Sequence, residues 1–481
     1  MLARKSPRKY CTIMNYEWNT AKIAQILKLP TPKSVDLVTS ITTDSRQVKK
    51  GSAFIAIKGD THDGHDFISK AIELGALVII SEKSGEHPAG AFFQVPSTLT
   101  AIRNLANAYR KNFSCPVIAI VGAVGKTTTK ELISSLLGGK FSHVTKTEGS
   151  QNGFLGIPLT LLSLTTETQI AVIEIGIDEI GAMEKHLEIV QPTHAILTKI
   201  GPEHLHQLKT VEIAAEEELK AFDYAIEKKI PIAINVSDEY VAFWFQNHQF
   251  AMNDKLYKTY SLKSCHQAEY TGTYQPELNA LLVVSKEPGQ EISETFSTPL
   301  PGEHHAHNLL AAITLSSFFH LSVSEMKTGL ATFRTAYGRT EIYRTKDGVD
   351  VIGDHYNSNP TSLLAAIALL TSKKGAPHYH AALGDMLELG DDEERFHREM
   401  AQPILNSGIT HLWLYGDRMK WLYDELKKLQ FKYVYHFQSH SELSECLKTK
   451  LSSGDQILVK GSRGMIMEKV LKTLVEEVKN S

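Results

Sequence analysis

Short apolar runs that stop at a glycine and give way to apolar residues at helical spacing recur along this 481-residue chain. The clearest case is residues 115–137. Val117–Val121 is a short β-branched run between Pro116 and Gly122, as a strand buried in a parallel sheet would be. Leu132, Ile133, Leu136 and Leu137 then repeat with the period of a helix. This stretch predicts a strand, a glycine loop and a helix. Upstream, periodicity starts between Trp18 and Leu27, and residues 40–83 read as strand, turn, strand, a loop rich in Gly and Asp, helix and strand. Downstream, apolar runs at 170–173 and 195–200 alternate with helical patterns, an Ala-rich helix follows PGEHHAHN, and another starts from Ser322. Residues 349–352, HAALGDMLELG, ITHLWLYG and DQILVKGSRG predict further strands, with Pro360 at a helix start.

Such alternation predicts an α/β protein of three domains. Residues 14–113 form a small N-terminal α/β domain, residues 114–330 a central doubly wound sheet built on the glycine loop, and residues 331–481 a smaller Rossmann-like α/β domain without a phosphate loop. Residues 1–13 are expected to be a disordered tail. The length agrees, at about 150 residues per domain.

Composition narrows the partners. A net charge of −3 with no long basic stripe argues against nucleic acid and toward small molecules. Cys11, Cys115, Cys265 and Cys446 lie far apart, without the spacing of a disulfide framework or a metal site, as in a reducing compartment. No apolar run nears the ~18 residues of a membrane span, and MLARKSPRKYCTIM lacks an apolar core. A cytoplasmic protein without membrane insertion is expected.

The glycine loop carries the strongest chemistry. Gly122 and Gly125 permit a tight anion-binding turn, and the amides of residues 125–128 fall at a helix N-terminus, where the dipole favours phosphate. Lys126 would reach the terminal phosphates of a nucleotide and Thr127 a Mg²⁺ ion, with Thr128 beside them. Ile120 stands where the full pattern has its first glycine, so the loop is a shortened variant. Glu174 and His204 each follow an apolar run, where strand ends meet a ligand crevice. They read as metal ligands or as solvated loop residues. Asp44, Ser45, Arg46, Lys58, Gly59, Asp63, Gly64 and His65 could bind an anionic sugar nucleotide or could be turn chemistry alone.

Taken together, TDSRQVKKGSAFIAIKG, DGHDF, GKTTTKE, GIPLTLL, EIG, IGPEHL, GRTEIY, YNSNP, LGDMLELG and LVKGSRGM resemble the Mur ligases over residues 35–475. YNSNP and GDMLELG look like the branch that adds D-Ala-D-Ala, and the Asp-Asn-Pro-Arg signature of the branch adding the third amino acid is absent. The resemblance implies ATP-dependent addition of D-Ala-D-Ala to UDP-MurNAc-tripeptide through an acyl phosphate, in peptidoglycan synthesis. It implies that Thr127 and Glu174 hold one Mg²⁺, and that Glu174 and His204 share a second. Asn308 would face adenine, while Arg339 and Asp354 would meet the phosphates and ribose from the third domain. Ser45, Arg46 and Asn152 would bind the sugar nucleotide. Tyr356, Asn357 and Asn359 would form the acceptor loop, which otherwise reads as a capped helix start. Lys460, Ser462 and Arg463 would face the ligand, or else simply close the domain. A monomer is expected.

Departures from the family pattern concentrate at four places. Ala123 and Val124 lie between the loop glycines, Gly149, Ser150, Gln151, Asn152 and Gly153 replace a loop usually rich in Asn, and Lys199 stands where Asn is usual. In VEIAAEEELKAF the lysine that many relatives carbamylate to hold the second Mg²⁺ is missing. Glu216 or Glu217 is expected in its place, with Lys220 the nearest lysine. A Glu side chain is about three bonds shorter than carbamoyl-lysine, so the helix would have to approach. The alternative function is a nucleotide-binding relative that has lost ligation, against which stands the retention of Lys126, Thr127, Glu174, His204, Arg339 and Asp354.

Overall fold

The computed structural model describes residues 12–59, 62–248, 255–262, 267–287 and 291–475. Three sheets bear out the α/β expectation. The first contains β1 (Thr12–Asn19), β2 (Leu37–Thr42), β3 (Ser52–Ile55), β4 (Val78–Ser81) and β5 (Ala91–Gln94) in that order. β1 is antiparallel to β2, and the others are parallel. The second is built from β6 (Val117–Val121), β7 (Val144–Lys146), β8 (Ile170–Glu174), β9 (His194–Leu197), β10 (Ile232–Asn235), β11 (Tyr257–Ser261), β12 (Tyr270–Gln275), β13 (Ala280–Ser285) and β14 (Ile292–Ser297). Its order is β14-β13-β12-β11-β10-β9-β6-β8-β7. The third contains β15 (Glu341–Arg344), β16 (Asp350–Asp354), β17 (Tyr379–Gly384), β18 (His411–Tyr415), β19 (Val434–Phe437) and β20 (Gln456–Lys460), in the order β15-β16-β20-β17-β18-β19.

The chain folds into two compact units. One comprises Met1–Ala119, Phe141–Ile175 and Glu184–His194, the other Ile120–Lys140, Gly176–Met183 and Ala195–Ser481. In the first unit, the helix Thr98–Arg110 buries Tyr109, whose ring meets Trp18 edge-on at 5.5 Å and whose hydroxyl donates to the Leu164 carbonyl at 3.0 Å. Its polar side supplies Arg103, Asn107 and Arg110, which donate to the carbonyls of Lys185, Glu188, Val190 and Gln191. The carbonyls of Glu188 and Val190 fall in the last turn of the helix Ala182–Val190, where no amide of the helix can reach them, and the Arg110 guanidinium there also suits the helix dipole.

In the second unit, the third sheet explains why its strands read as unbroken apolar runs. Ile352, Ala381, Leu383, Leu412, Leu414 and Leu458 pack on one face, and Val351, Ala382, Trp413, Ile457 and Val459 on the other. Successive residues alternate between faces, and both faces are covered, so the middle of each strand is apolar on both sides.

The structure adds elements that the pattern does not predict. β15 and β19 lie at the edges of the third sheet and are only partly buried, so their alternation is weak. β12 joins the second sheet parallel to β11, and β13 and β14 then extend it antiparallel, with a single 3-10 turn at Pro276–Leu278 between β12 and β13. Of the expected tail, Thr12 and Ile13 pair with Ile41 and Ser40 in β1, and residues 1–11 lie outside the described residues, as do Cys11 and Cys265. Cys115 and Cys446 are free thiols. Among the described residues no helix is long and apolar enough to cross a membrane.

Candidate active site

The phosphate loop joins β6 to the helix Lys126–Leu137, and its backbone requires glycine at two points. Gly122 has φ +114° and a side chain there would strike Thr198 Oγ1, while Gly125 has φ +91° and a Cβ would lie 2.7 Å from Asn308 Oδ1. The Thr198 hydroxyl donates to the Val121 and Val124 carbonyls at 3.1 and 2.7 Å, and the Lys199 carbonyl accepts from Ala123 N at 2.8 Å. Lys199 contributes its backbone while its side chain is exposed, so a lysine in place of asparagine leaves the loop intact. Lys126, Thr127 and Thr128 are buried in the first turn of the helix. Lys126 Nζ donates to the Gly122 carbonyl and pairs with Glu203 Oε2 at 2.9 Å.

The helix Val211–Lys228 supplies a carboxylate, though not the expected one. Glu218 Oε2 accepts from Gly122 N at 2.7 Å. Burial pushes its carboxyl up to about 7, against the pull of Lys126. Glu217 is buried as well, accepting from Met183 N at 3.0 Å and pairing with Lys220 Nζ at 2.8 Å. Glu216, expected as a metal ligand, is exposed. The helical phase decides this: Ala214, Ala215, Ala221, Phe222 and Ala225 face inward, and Glu217 and Glu218 share their side while Glu216 does not. Lys220 is held by Glu217 and does not take the Glu218 position.

Ala123, Glu203, His204 and Glu218 line one cavity. His204 has φ +53°, unusual for a non-glycine residue, and its Nδ1 lies 2.6 Å from Glu388 Oε2 while Nε2 lies 3.9 Å from Glu203 Oε1. Burial opposes a charge on His204, but the hydrogen bond its ring donates to Glu388 and the field of Glu203 raise its affinity for a proton overall. The next residue, Leu205, packs into the core of the third sheet.

At the C-terminal ends of β16 and β20, Lys460 Nζ meets Asp354 Oδ2 at 2.6 Å and the Asn357 carbonyl at 2.9 Å. Asp354 Oδ1 accepts from Thr340 N at 3.1 Å. Burial alone would raise the Asp354 carboxyl, yet Lys460 beside it wins and holds it below the usual carboxylate range. Lys460, expected to face the ligand, is thus 1% exposed and serves as the internal counter-ion of Asp354. Asn359 is likewise structural: its side chain accepts from Ser362 N at 2.8 Å and caps the helix Pro360–Ser372. Asn357 Oδ1 accepts from Ser358 N at 2.9 Å. Tyr356 carries Arg339 over its ring at 4.6 Å and Arg463 at 5.9 Å, and Arg463 also pairs with Glu468 at 2.8 Å. Ser462 donates to the Ser358 carbonyl at 3.1 Å and fixes the loop from beneath.

The helix Glu303–Ser316 ties these two places together. His305 Nε2 lies 2.9 Å from Thr340 Oγ1, and Asn308, about one turn on, stands against Gly125.

The remaining predicted residues belong to the other unit. Glu174 ends β8, is 1% exposed, accepts from Asn152 Nδ2 at 2.8 Å and donates its backbone N–H to Thr147 Oγ1 at 2.9 Å. Ser45 and Arg46 start a single turn capped by Asp44, which accepts from Arg46 N, Nε and Nη2 at 3.0, 2.8 and 2.8 Å. Those bonds from Arg46 draw the Asp44 carboxyl down to about 2. Arg46 keeps 79% of its side chain in solvent. Glu203, Glu218 and Glu388 are the residues that motif reading missed. Glu218 was accessible to the helical phase of VEIAAEEELKAF, whereas Glu203 and Glu388 lie inside quoted motifs with nothing local to mark them.

Residues 120–316 match the Mur ligase middle domain, residues 338–463 the Mur ligase glutamate ligase domain, and residues 37–128 the Mur ligase family catalytic domain. The UDP-N-acetylmuramoyl-tripeptide--D-alanyl-D-alanine ligase of Bacillus subtilis (strain 168) is 33% identical, over 92% of this chain and 94% of its own. The enzyme of that name from Escherichia coli (strain K12) is 28% identical, over 91% of this chain and 94% of its own. A crystal structure of MurF from Acinetobacter baumannii superposes with a TM-score of 0.82 at 25% identity, covering 96% of this chain and all of the other. This chain belongs to the Mur ligase family.

Proposed function

We infer that the chain is an ATP-dependent ligase that joins D-Ala-D-Ala to UDP-MurNAc-tripeptide, giving the UDP-MurNAc-pentapeptide of peptidoglycan synthesis, in the cytoplasm and as a monomer. The observation that carries this is the helix Glu303–Ser316, which meets Thr340 through His305 and the phosphate loop through Asn308. A nucleotide whose phosphates rest on the amides of residues 125–128 then has Asn308 beside it, and Arg339 and Asp354 follow from the third sheet. Likeness over nearly the whole chain to ligases named for this reaction supports the substrates.

The tripeptide carboxylate attacks the γ-phosphorus of ATP, forming an acyl phosphate and releasing ADP. The free amine of D-Ala-D-Ala then attacks the acyl carbon, and phosphate leaves. Two anions meet in the first step, so Lys126 lowers the barrier by offsetting the charge that gathers on the transferring group. Burial of Lys126 and Thr127 keeps water from that centre and strengthens the effect. Tyr356, flanked by Arg339 and Arg463, is the surface we assign to the acceptor, whose carboxylate needs cationic donors.

The residues fit Mg²⁺. Glu203 and Glu218 place two carboxylates in the cavity with His204, and a hard cation beside them would offset the cost of burying the Glu218 carboxylate. Thr127, Glu203, His204 and Glu218 would hold the metal, and the family resemblance adds Glu174. When bound, Mg²⁺ neutralises phosphate charge and polarises the γ-phosphoryl group. The alternative of a nucleotide-binding relative without ligation is not favoured, since all six groups that argue against it are present. Mass spectrometry of the product from ATP, D-Ala-D-Ala and each candidate UDP-MurNAc-tripeptide, with lysine or diaminopimelate as third residue, tests the assignment. Phosphate release that ignores either peptide partner would sink it.

A further inference from the structure

The third sheet carries a second cluster of metal-binding groups at the end opposite Asp354 and Lys460. His378 precedes β17 and His380 lies within it two residues on, so both side chains leave the same face. Asp455 precedes β20, and the register Tyr379 with Gln456 brings it beside His378. The cluster lies a strand length away from Lys460, about 16 Å at ~3.3 Å per residue. It belongs to no part of the site described above.

Its geometry is that of two imidazoles and a carboxylate facing one point. His378 Nδ1 lies 3.0 Å from Asp455 Oδ1, His380 Nε2 lies 3.2 Å from Asp455 Oδ2, and the three ligand atoms fall within 4.8 Å of one another. Zinc bonds of ~2.0–2.1 Å at tetrahedral angles need donors roughly 3.3 Å apart, so the widest gap has to close by at most about 1.5 Å. His378, with 48% of its side chain exposed, has freedom to make that move. His380 is the buried member of the set. It is 1% exposed, and its Nε2 faces Asp455 Oδ2 at 3.2 Å without the alignment of a good hydrogen bond, so the two groups converge on one point inside the fold.

We propose that His378, His380 and Asp455 bind one divalent transition-metal ion, zinc by preference, at the N-terminal ends of β17 and β20. Two nitrogen donors and one carboxylate suit zinc and not magnesium, which demands oxygen, so this site is separate in kind from the catalytic one. The surroundings orient it: the His411 ring stacks on His380 at 4.6 Å, and Ser452 N donates to Asp455 Oδ2 at 2.8 Å. Trp413 Nε1 donates to His380 Nδ1 at 3.3 Å. Coordination through Nε2 puts the ring proton on Nδ1 and gives up that long bond. The ion would clamp two neighbouring strands and leave an open position toward solvent. The competing account is a plain hydrogen-bonded His-Asp cluster.

The full chain, stripped with EDTA and dialysed, is titrated with Zn²⁺ by calorimetry and with Co²⁺ by visible spectroscopy. One equivalent of zinc at micromolar affinity or better is expected, with cobalt giving the intense visible bands of a tetrahedral site. His378→Ala changes a half-exposed side chain, so the fold survives; it should weaken zinc at least tenfold, abolish the cobalt bands and leave ligation unchanged. Asp455→Asn should do the same to the metal if it folds. Zinc binding that is absent, or equal in the native chain and His378→Ala, overturns the proposal.

Discussion

At the scale of single residues, chemistry rests on charges placed where water cannot screen them. Lys126 sits buried between the Gly122 carbonyl and Glu203. Lys126→Ala should therefore lower kcat roughly a thousandfold or more while circular dichroism and the melting temperature change little, because Thr198 and Lys199 still hold the loop. Near-normal turnover would disprove the phosphate-loop assignment. Glu218 makes a sharper test. A Glu carboxylate needs no CO₂, so activity should be indifferent to bicarbonate, and Glu218→Ala should raise the Mg²⁺ concentration for half-maximal rate and cut kcat. Glu216→Ala, on the exposed side of the helix, should leave both unchanged. Loss of native activity in CO₂-stripped buffer, restored by bicarbonate, would instead point to a carbamate on Lys220.

At the scale of elements, the acceptor loop shows how a structural role can hide inside a functional motif. In YNSNP, Asn359 caps the helix Pro360–Ser372 and Ser362 returns the bond to Asn359 N at 3.0 Å, a reciprocal capping pair. Asn359→Ala should cost about 1 kcal/mol in a denaturant titration and only indirectly raise KM for D-Ala-D-Ala. Tyr356→Ala should raise that KM without a comparable loss of stability. Equal behaviour of the two variants would mean that the loop has a single role. The α/β alternation around this loop was legible because β16, β17, β18 and β20 are covered on both faces and read as apolar runs. β15 and β19 were not, since an edge strand with one partner carries mixed polarity.

At the scale of the whole molecule, two features depend on distant parts of the chain. Asp354 faces Lys460 from a strand more than a hundred residues away, and Asp354→Asn, which keeps the shape, should raise KM for ATP severalfold. An unchanged KM in a variant shown to be folded would remove the third sheet from the nucleotide site. Buried histidines set the response to acid. Burial lowers His186 to about 3 and His307 to about 4, so both stay neutral in the fold while the unfolded chain takes up protons below about 6.5. The unfolded state then binds more protons, and stability falls as pH drops from about 6.5 toward 4, by roughly 1.4 kcal/mol per unit for each such group. Melting temperatures across that range should decline. His186→Phe, which fills the same space beside Phe154, should flatten the slope, and an unaltered slope would place the acid sensitivity elsewhere.

The sequence by itself determined what is local. The β-branched run, the two glycines and the Lys-Thr pair specify a strand, a phosphate loop and a helix start, because backbone freedom, dipole and side-chain reach all act within a few residues. Motif order was enough for the family and its expected substrates. Only the tertiary structure decided which carboxylate meets the loop. Glu216, Glu217 and Glu218 are chemically alike in sequence, and the packing of Ala214, Phe222 and Ala225 turns Glu218 inward and Glu216 out. The same holds for Lys460, whose partner lies on another strand, and for His378, His380 and Asp455, which parallel pairing brings together across 75 residues of chain. Side-chain roles of that kind are set by burial and by distant partners, and a linear pattern records neither.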